Sequence, residues 1–109
     1  MIIDFEQIEE TAIKNFYGGQ NDTIARMFAD EKNRIMYGKL EPGASIGIHR
    51  HETGSEIVYI IQGTGKAVFD DTQEELKPGI CHYCPKGHSH SLINDGSGDL
   101  VFFAVVPQQ

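Results

Sequence analysis

The chain has no tryptophan, only two cysteines and four prolines, and few basic residues. Two cysteines are too few for a disulfide framework. Lys and Arg total 9 against 16 Asp and Glu, which gives a formal net charge of −7. Because nucleic acids and anionic membrane surfaces attract positive charge, this composition argues against both as partners.

Long hydrophobic runs are missing as well. The longest one, residues 100–106, is far shorter than the roughly 20 residues of a membrane-spanning helix. Residues 1–4 have neither the basic start nor the apolar stretch of a secretory signal, so we expect a cytoplasmic protein. With 109 residues, of which 39% are hydrophobic, the chain has the size and composition of one globular domain.

Short apolar segments separated by turn residues recur from residue 22 onward. Glu41-Pro42-Gly43 and Lys77-Pro78-Gly79 are examples of the turns. The segments are 23–29, 34–40, 44–51, 55–62, 66–69, 73–76, 80–84, 89–94 and 100–106. Regularly spaced strands of this length are typical of an all-β sandwich or barrel, which we place at residues 22–109.

Residues 1–21 are predicted to form an N-terminal arm or short helix. Apolar residues at positions 5, 8, 12, 13 and 16 fit one helix face, and Asp4 is in place to cap it. Thr11, Asn15 and Tyr17 are weak helix formers, so an irregular arm with a single helical turn is the alternative.

Two of the predicted strands, within 55–62 and 100–106, are apolar on both faces. One face can line the interior, but the other needs a cover, either the arm or a second copy of the chain. The patterning therefore predicts a homodimer.

The two cysteines form a Cys-x-x-Cys segment, Cys81 to Cys84. On a strand, residues three apart point to opposite faces and cannot share one metal ion, and no second ligand pair follows at zinc-ribbon spacing. We therefore interpret them as two buried or half-buried thiols rather than a redox pair or a zinc site.

Three of the five histidines and one glutamate form a candidate metal site. His49 and His51 are two residues apart at the end of a predicted strand, so their imidazoles lie on one face. Glu56 follows across a turn, and His90 begins another strand after Pro85-Lys86-Gly87. Three imidazoles and one carboxylate suit Mn, Fe, Co, Ni, Cu or Zn.

The full spacing around these residues resembles the two motifs of the cupin superfamily. The matching positions are Gly43, His49, His51, Glu56 and Gly63 in the first motif, and Gly79, Pro85, Gly87, His90 and Asn94 in the second. The resemblance is to the small single-domain, RmlC-like members. It implies a double-stranded β-helix, or jelly-roll barrel, with His49, His51, Glu56 and His90 holding a divalent transition metal such as Mn, Fe, Ni, Co or Zn.

A divalent ion with one carboxylate ligand attracts an anionic oxygen and stabilises an enolate. Such a site suits isomerisation or tautomerisation as well as lyase or decarboxylase chemistry through a metal-bound carboxylate. Because Lewis-acid catalysis needs only the ion and one proton-transferring group, we expect a metalloenzyme that isomerises or tautomerises a small polar anion, such as a sugar, a sugar acid or a keto acid. A metal-dependent dioxygenase is one alternative. A non-catalytic module that binds or senses a small ligand is the other.

Further polar residues are weaker candidates. His88 shares strand parity with His90, so it is our candidate catalytic, proton-transferring residue; the alternative is a histidine on the rim. The alternation leaves open whether His82 faces the interior. Arg26 and Lys39 are candidates for holding an anionic substrate, with a solvated face as the alternative for each.

Overall fold

The computed structural model describes residues 1–109, and its regular structure is almost entirely β-strands, arranged in two antiparallel sheets. The larger sheet has the order β1-β2-β3-β10-β5-β8, and the smaller one has the order β4-β9-β6-β7. The strands are β1 (Thr11–Lys14), β2 (Asp22–Ala29), β3 (Asn33–Leu40), β4 (Ser45–Arg50), β5 (Glu56–Gln62), β6 (Gly65–Phe69), β7 (Thr72–Leu76), β8 (Cys81–Cys84), β9 (Ser89–Ile93) and β10 (Leu100–Pro107). The predicted all-β jelly-roll architecture is confirmed.

All nine predicted strands are present, as β2 to β10, with bounds within one residue of those expected. The turns between them use the residues that marked them in the sequence. Asp70, between β6 and β7, has a φ of +50°, which tight hairpin turns require and which aspartate tolerates.

The core lies between the two sheets. Inward-facing residues of both sheets, with exposures of 2% or less, fill it. The largest of them are Leu40, Ile60, Leu100 and Phe102 from the larger sheet, and Leu76 and Leu92 from the smaller one. This packing holds the mouth of the barrel, where β4, β5 and β9 present their histidines and glutamate.

The N-terminal segment forms an arm with a short helical turn, which was the alternative to a longer helix. A 3-10 turn covers only Phe5–Gln7, and Asp4 caps it by accepting a hydrogen bond from the Glu6 amide at 3.0 Å. A continuous helix to residue 16 is wrong, because β1 pairs with β2 and that pairing satisfies its backbone groups in an extended form. A second 3-10 turn, Phe16–Gly18, follows. Neither turn has the length to cross a membrane as a helix.

The arm covers part of the outer face of the larger sheet. The Phe5 ring lies 5.8 Å from that of Tyr37 and 6.2 Å from that of Phe103. Farther along the sheet, Tyr59 and Tyr83 stay 46% and 52% exposed. The strands that are apolar on both faces therefore bury one face in the core, and the arm covers only part of the outer face of their sheet.

The two cysteines lie on opposite faces of β8, as the strand geometry predicted. Cys84 is buried, but Cys81 is exposed, so the expectation that both thiols are at least half-buried is wrong for Cys81. It occupies the outward position of an edge strand. Burial, together with the negative charges of nearby carboxylates such as Glu56, raises the pKa of Cys84 to about 11, so this thiol stays protonated.

Candidate metal centre

The four predicted ligand residues converge at one end of the barrel. His49 on β4 and His90 on β9 are direct cross-strand partners. His51 follows β4, and its backbone amide donates to the carbonyl of His88 at 3.0 Å, which continues the same ladder. Glu56 opens β5 in the other sheet. Two sheets and three segments of the chain therefore contribute to a single cluster.

The spacing of the ligand atoms within the cluster suits one transition-metal ion. The Nε2 atom of His90 lies 2.9 Å from that of His51 and 3.1 Å from that of His49. Glu56 Oε1 lies 2.9 Å from His90 Nε2, 3.1 Å from His51 Nε2 and 3.9 Å from His49 Nε2. With bonds of about 2.1 Å, adjacent ligands of an octahedral ion are about 3.0 Å apart and opposed ligands about 4.2 Å. The donor set and its distances fit such an ion.

The pKa shifts of Glu56 and His90, two buried residues of the cluster, favour metal binding. Burial opposes ionisation of Glu56, but the close approach of the three surrounding imidazoles outweighs it and holds the pKa of Glu56 well below its usual value. Burial lowers the pKa of His90, with Glu56 partly offsetting the effect. A metal ion needs an ionised carboxylate and neutral imidazoles, and these are the forms that the site stabilises.

The orientation of His49 is fixed from two sides. Its Nδ1 lies 2.8 Å from the carbonyl oxygen of Gly47, which can only accept, so Nδ1 donates and the lone pair of Nε2 faces the cluster. The ring of Tyr17 stacks on the His49 imidazole with a centroid distance of 3.9 Å and an interplanar angle of 12°.

The second 3-10 turn holds Tyr17 in this place by packing its backbone directly on β4. A Cβ atom on Gly47 would collide with the carbonyl of Tyr17, and one on Gly19 would collide with the carbonyl of Ser45. Tyr17 itself has a φ of +53°, an uncommon value for a residue with a large side chain. The turn therefore covers the mouth of the site at the cost of local backbone strain.

A cavity of about 10 Å³ adjoins the cluster, with His49, His51 and Glu56 in its wall. This volume holds about one water molecule. Phe16, Tyr17 and Arg34 also line it. The site is thus closed to larger molecules unless the turn that carries Phe16 and Tyr17 moves.

Arg34 is a functional candidate that the sequence analysis missed. Its side chain is half-buried in the cavity wall, and no carboxylate lies within ion-pair distance of its guanidinium. The strand alternation could have revealed it, because Arg34 lies on the same face of β3 as Met36 and Leu40, which face the core.

Arg26 and Lys39 lie on the outer face of the larger sheet. Arg26 donates to the Ile8 carbonyl at 2.6 Å and thereby ties down the N-terminal arm. Lys39 lines an outer groove together with Glu10. Neither side chain reaches the cluster. Both lie on an outward face, which was the alternative to a role in holding an anionic substrate.

His88 also lies outside the cluster. Its Nδ1 donates to Asp70 Oδ2 at 2.6 Å, its ring stacks on Phe69, and its side chain is 44% exposed. This position is on the rim of the barrel. The catalytic role of His88 stays a prediction.

His82 faces the interior, whereas its neighbours Cys81 and Tyr83 face outward. It contacts the cluster through His90, with His82 Nε2 at 3.0 Å from His90 Nδ1. Its Nδ1 lies 2.7 Å from Glu74 Oε1. The sequence analysis missed Glu74, whose signal was its strand parity with the buried Leu76.

Comparison with known proteins agrees with this architecture. A family model described as a cupin domain matches residues 36–106, which is more than half of the chain. The chain belongs to the cupin family. The cupin is 36% identical to an oxalate-binding protein of Thermotoga maritima, over 97% of this chain and 93% of that one.

Solved structures resemble this cupin along its whole length. The crystal structure of a Thermotoga maritima protein described as a predicted oxalate decarboxylase has a TM-score of 0.93 and 31% identity, with both chains covered completely. A polyketide cyclase from Streptomyces resistomycificus has a TM-score of 0.82 at 20% identity, over 100% of this chain and 80% of that one. This second likeness shows the fold alone.

Proposed function

We propose that this cupin holds a divalent transition metal through His49, His51, Glu56 and His90 and binds a small dicarboxylate of about the size of oxalate beside it. The unpaired guanidinium of Arg34, in the wall of the same cavity as three of these residues, carries the proposal. The ion supplies Lewis acidity and attraction for an anionic oxygen. Mn, Fe, Ni, Co and Zn all suit the donor set.

Charge complementarity supports a dianion as the ligand. A divalent ion beside one carboxylate and three neutral imidazoles leaves one net positive charge, and Arg34 adds a second. Met36, Ile46 and Val106 provide an apolar wall, which strengthens these electrostatic interactions by excluding water. Because the cavity holds only about one water molecule, even the smallest dicarboxylate enters only when the turn that carries Phe16 and Tyr17 moves. The relative named as an oxalate-binding protein supports this ligand class.

Each residue of the site has a separate task in this proposal. Glu56 stays ionised and lowers the net charge of the metal site. The Gly47 carbonyl keeps the Nε2 lone pair of His49 free, and Arg34 forms charge-assisted hydrogen bonds to the carboxylate. Tyr17 limits access by water and by larger ligands.

Calorimetric titration of the metal-loaded protein with oxalate tests the proposal, with the monoanion oxamate as the ligand control. We expect binding that disappears on chelation. Loss of one charged hydrogen-bonding partner in Arg34→Gln should weaken binding about 10- to 100-fold. The matched control is Arg50→Gln, because Arg50 is an exposed residue of β4. Equal binding of oxalate and oxamate, or equal binding by wild type and Arg34→Gln, would reject the proposal.

Catalysis at the same site is the second candidate function. Isomerisation or tautomerisation requires a group that transfers a proton beside the ion. Outside the four-residue cluster, Tyr17 and Arg34 are the only lining residues whose side chains carry a proton on nitrogen or oxygen. Since arginine stays protonated, the Tyr17 hydroxyl is the group that supports this candidate, besides the more distant His88.

Two assays separate catalysis from binding. Keto acids and sugar acids incubated with metal-loaded protein in D2O would exchange carbon-bound hydrogen if the protein is an isomerase or tautomerase. Oxygen uptake with bound iron would indicate a dioxygenase. Recovery of every ligand unchanged would support a binding or sensing module.

We also propose that two copies of the chain associate through the outer face of the larger sheet. Ile57, Tyr59, Ile61 and Tyr83 are exposed there, between 39% and 52%, beside the free edge of β8. Sedimentation of wild type and Tyr59→Lys tests this, with a dimer expected only for wild type. Sedimentation of wild type as a monomer would reject it. The cytoplasmic location stays a prediction.

A further inference from the structure

We propose that Glu74 and His82 are positioning residues that set the tautomer and the ring plane of His90 for metal binding. The inference rests on the proposed metal binding and goes beyond its four ligands. It explains one fully buried and one partly exposed polar side chain, His82 and Glu74, that the binding of metal and dicarboxylate does not itself use.

The three side chains form a continuous hydrogen-bonded chain across the interior. Glu74 on β7 and His90 on β9 belong to the smaller sheet, whereas His82 on β8 belongs to the larger one. Glu74 Oε1 lies 2.7 Å from His82 Nδ1, and His82 Nε2 lies 3.0 Å from His90 Nδ1. The His82 side chain is fully buried, whereas that of Glu74 is 43% exposed, so the chain runs from the cluster to the protein surface.

The direction of the hydrogen bonds follows from Glu74. An ionised carboxylate only accepts, so His82 Nδ1 donates to it. Neutral His82 then has its lone pair on Nε2, and His90 Nδ1 must be the donor in the next bond. His90 Nε2 is thereby left without a proton, and this is the atom that faces Glu56 at 2.9 Å.

The opposite tautomer would place a proton on the ligating atom and would have to be converted before a metal could bind. Glu74 removes that tautomer from a distance of two hydrogen bonds. The carbonyl of Gly47 does the same for His49 by direct contact.

Packing fixes the plane of the His90 ring as well. The rings of His82 and His90 lie edge to edge in nearly one plane, with centroids 5.2 Å apart and planes at 13°. Phe69 contacts the His82 ring edge-on, with centroids 6.3 Å apart. His82 therefore has little freedom to turn, and the bond to Glu74 decides which of its nitrogens accepts.

Variants of β7 test this role without altering the core. Glu74→Ala removes the acceptor, and Glu74→Gln retains an acceptor oxygen without the charge. Glu75→Ala is the matched control, because Glu75 is the next residue of the same strand, is exposed and points to the opposite face. Two quantities are measured. One is the Kd for Co2+ from chelator competition, and the other is the His90 tautomer in metal-free protein, from long-range 1H–15N correlation spectra.

We expect wild type and Glu75→Ala to have the His90 proton on Nδ1 and the same Kd. Glu74→Ala should show a mixture of His90 tautomers and bind Co2+ about 10- to 100-fold more weakly, the usual effect of losing such a partner. Glu74→Gln should lie closer to wild type in both measurements.

A Glu74→Ala protein that matches Glu75→Ala in tautomer and in Kd would overturn the inference. Failure of wild type to bind Co2+ or any other first-row divalent ion would instead overturn the proposed function. The two failures are distinguishable, because the tautomer of His90 is measured without metal. A His90 that keeps its proton on Nδ1 in Glu74→Ala would overturn the role of Glu74 in that case too.

Discussion

His49 and His90 lie directly opposite each other on β4 and β9, with their Nε2 atoms 3.1 Å apart. The pairing of two strands thus brings together residues that are distant in the chain. Because backbone pairing fixes the positions of the two residues, both imidazoles are directed to the same point. Glu56, from the facing sheet, then closes the cluster across the barrel.

Loss of a ligand should remove the stabilisation that metal confers. A metal at 100 times its Kd stabilises the native state by about 2.7 kcal/mol, which in a domain of this size raises the Tm by about 10 to 20 °C. We expect this rise for wild type on addition of Co2+ and its absence in His90→Ala. Thermal unfolding with and without EDTA measures it.

The control for the ligand variant is Glu52→Gln, which changes an exposed carboxylate near the cluster. Its melting temperature should rise with Co2+ as that of wild type does. If EDTA leaves the melting temperature of metal-treated wild type unchanged, then the four-residue cluster does not couple metal binding to folding.

Tyr17 should control the rate at which the site exchanges with solvent. Tyr17→Ala removes the ring that stacks on His49, so Co2+ should bind and dissociate faster, with a stability loss of about 1 kcal/mol from the lost aromatic contact. Tyr17→Phe keeps the ring and should resemble wild type. Stopped-flow absorbance with Co2+ measures these rates. Equal rates in all three proteins would show that the turn does not limit access.

The two cysteines should differ sharply in reactivity. Cys81 is exposed, whereas Cys84 is buried and its pKa is raised to about 11. Because the thiolate is the reactive form, a thiol reagent at pH 8 should modify Cys81 quickly and Cys84 only after unfolding. Mass spectrometry of the labelled peptides checks this. A disulfide between the two cysteines in native protein would contradict their placement on opposite faces.

Local patterns in the sequence were sufficient to predict the strands and the four cluster residues, because turn residues and the two-residue period act over short distances. Arg34 and Glu74 were missed for a different reason. Each is a polar residue on the inward face of a strand, and only the register with neighbouring strands shows what it approaches. A polar inward residue contradicts the hydrophobic pattern that identifies the interior.

Two further features depend on tertiary structure. The ladder between β4 and β9 has an irregularity between Ile46 and His49, so strand parity cannot be carried through β4 from one end to the other. The segment Thr11–Lys14 is extended because β2 offers it a free edge, although its apolar spacing fits a helix. In both places, pairing between strands outweighs the local preference.

The stability of the metal-free protein should fall as the pH falls. The pKa values of His90 and Glu56 are lower in the folded protein than their ordinary values of 6.5 and 4.5. A group with a lowered pKa binds fewer protons when folded than when unfolded, so its contribution is present above the unfolded value and is lost as the pH decreases toward the folded one. The contribution of His90 should therefore decline below about pH 6.5, and that of Glu56 below about pH 4.5.

Urea unfolding of EDTA-treated protein between pH 8 and pH 4 measures this dependence. Glu56→Gln supplies the comparison, because it removes the ionised carboxylate that partly offsets the effect of burial on His90. The decline in the range of His90 should then begin at the same pH as in wild type but continue to a lower pH, and the decline below pH 4.5 should be smaller. Stability that is constant from pH 8 to pH 5 would contradict a buried neutral His90, since such a group must lose stability as the unfolded chain becomes protonated.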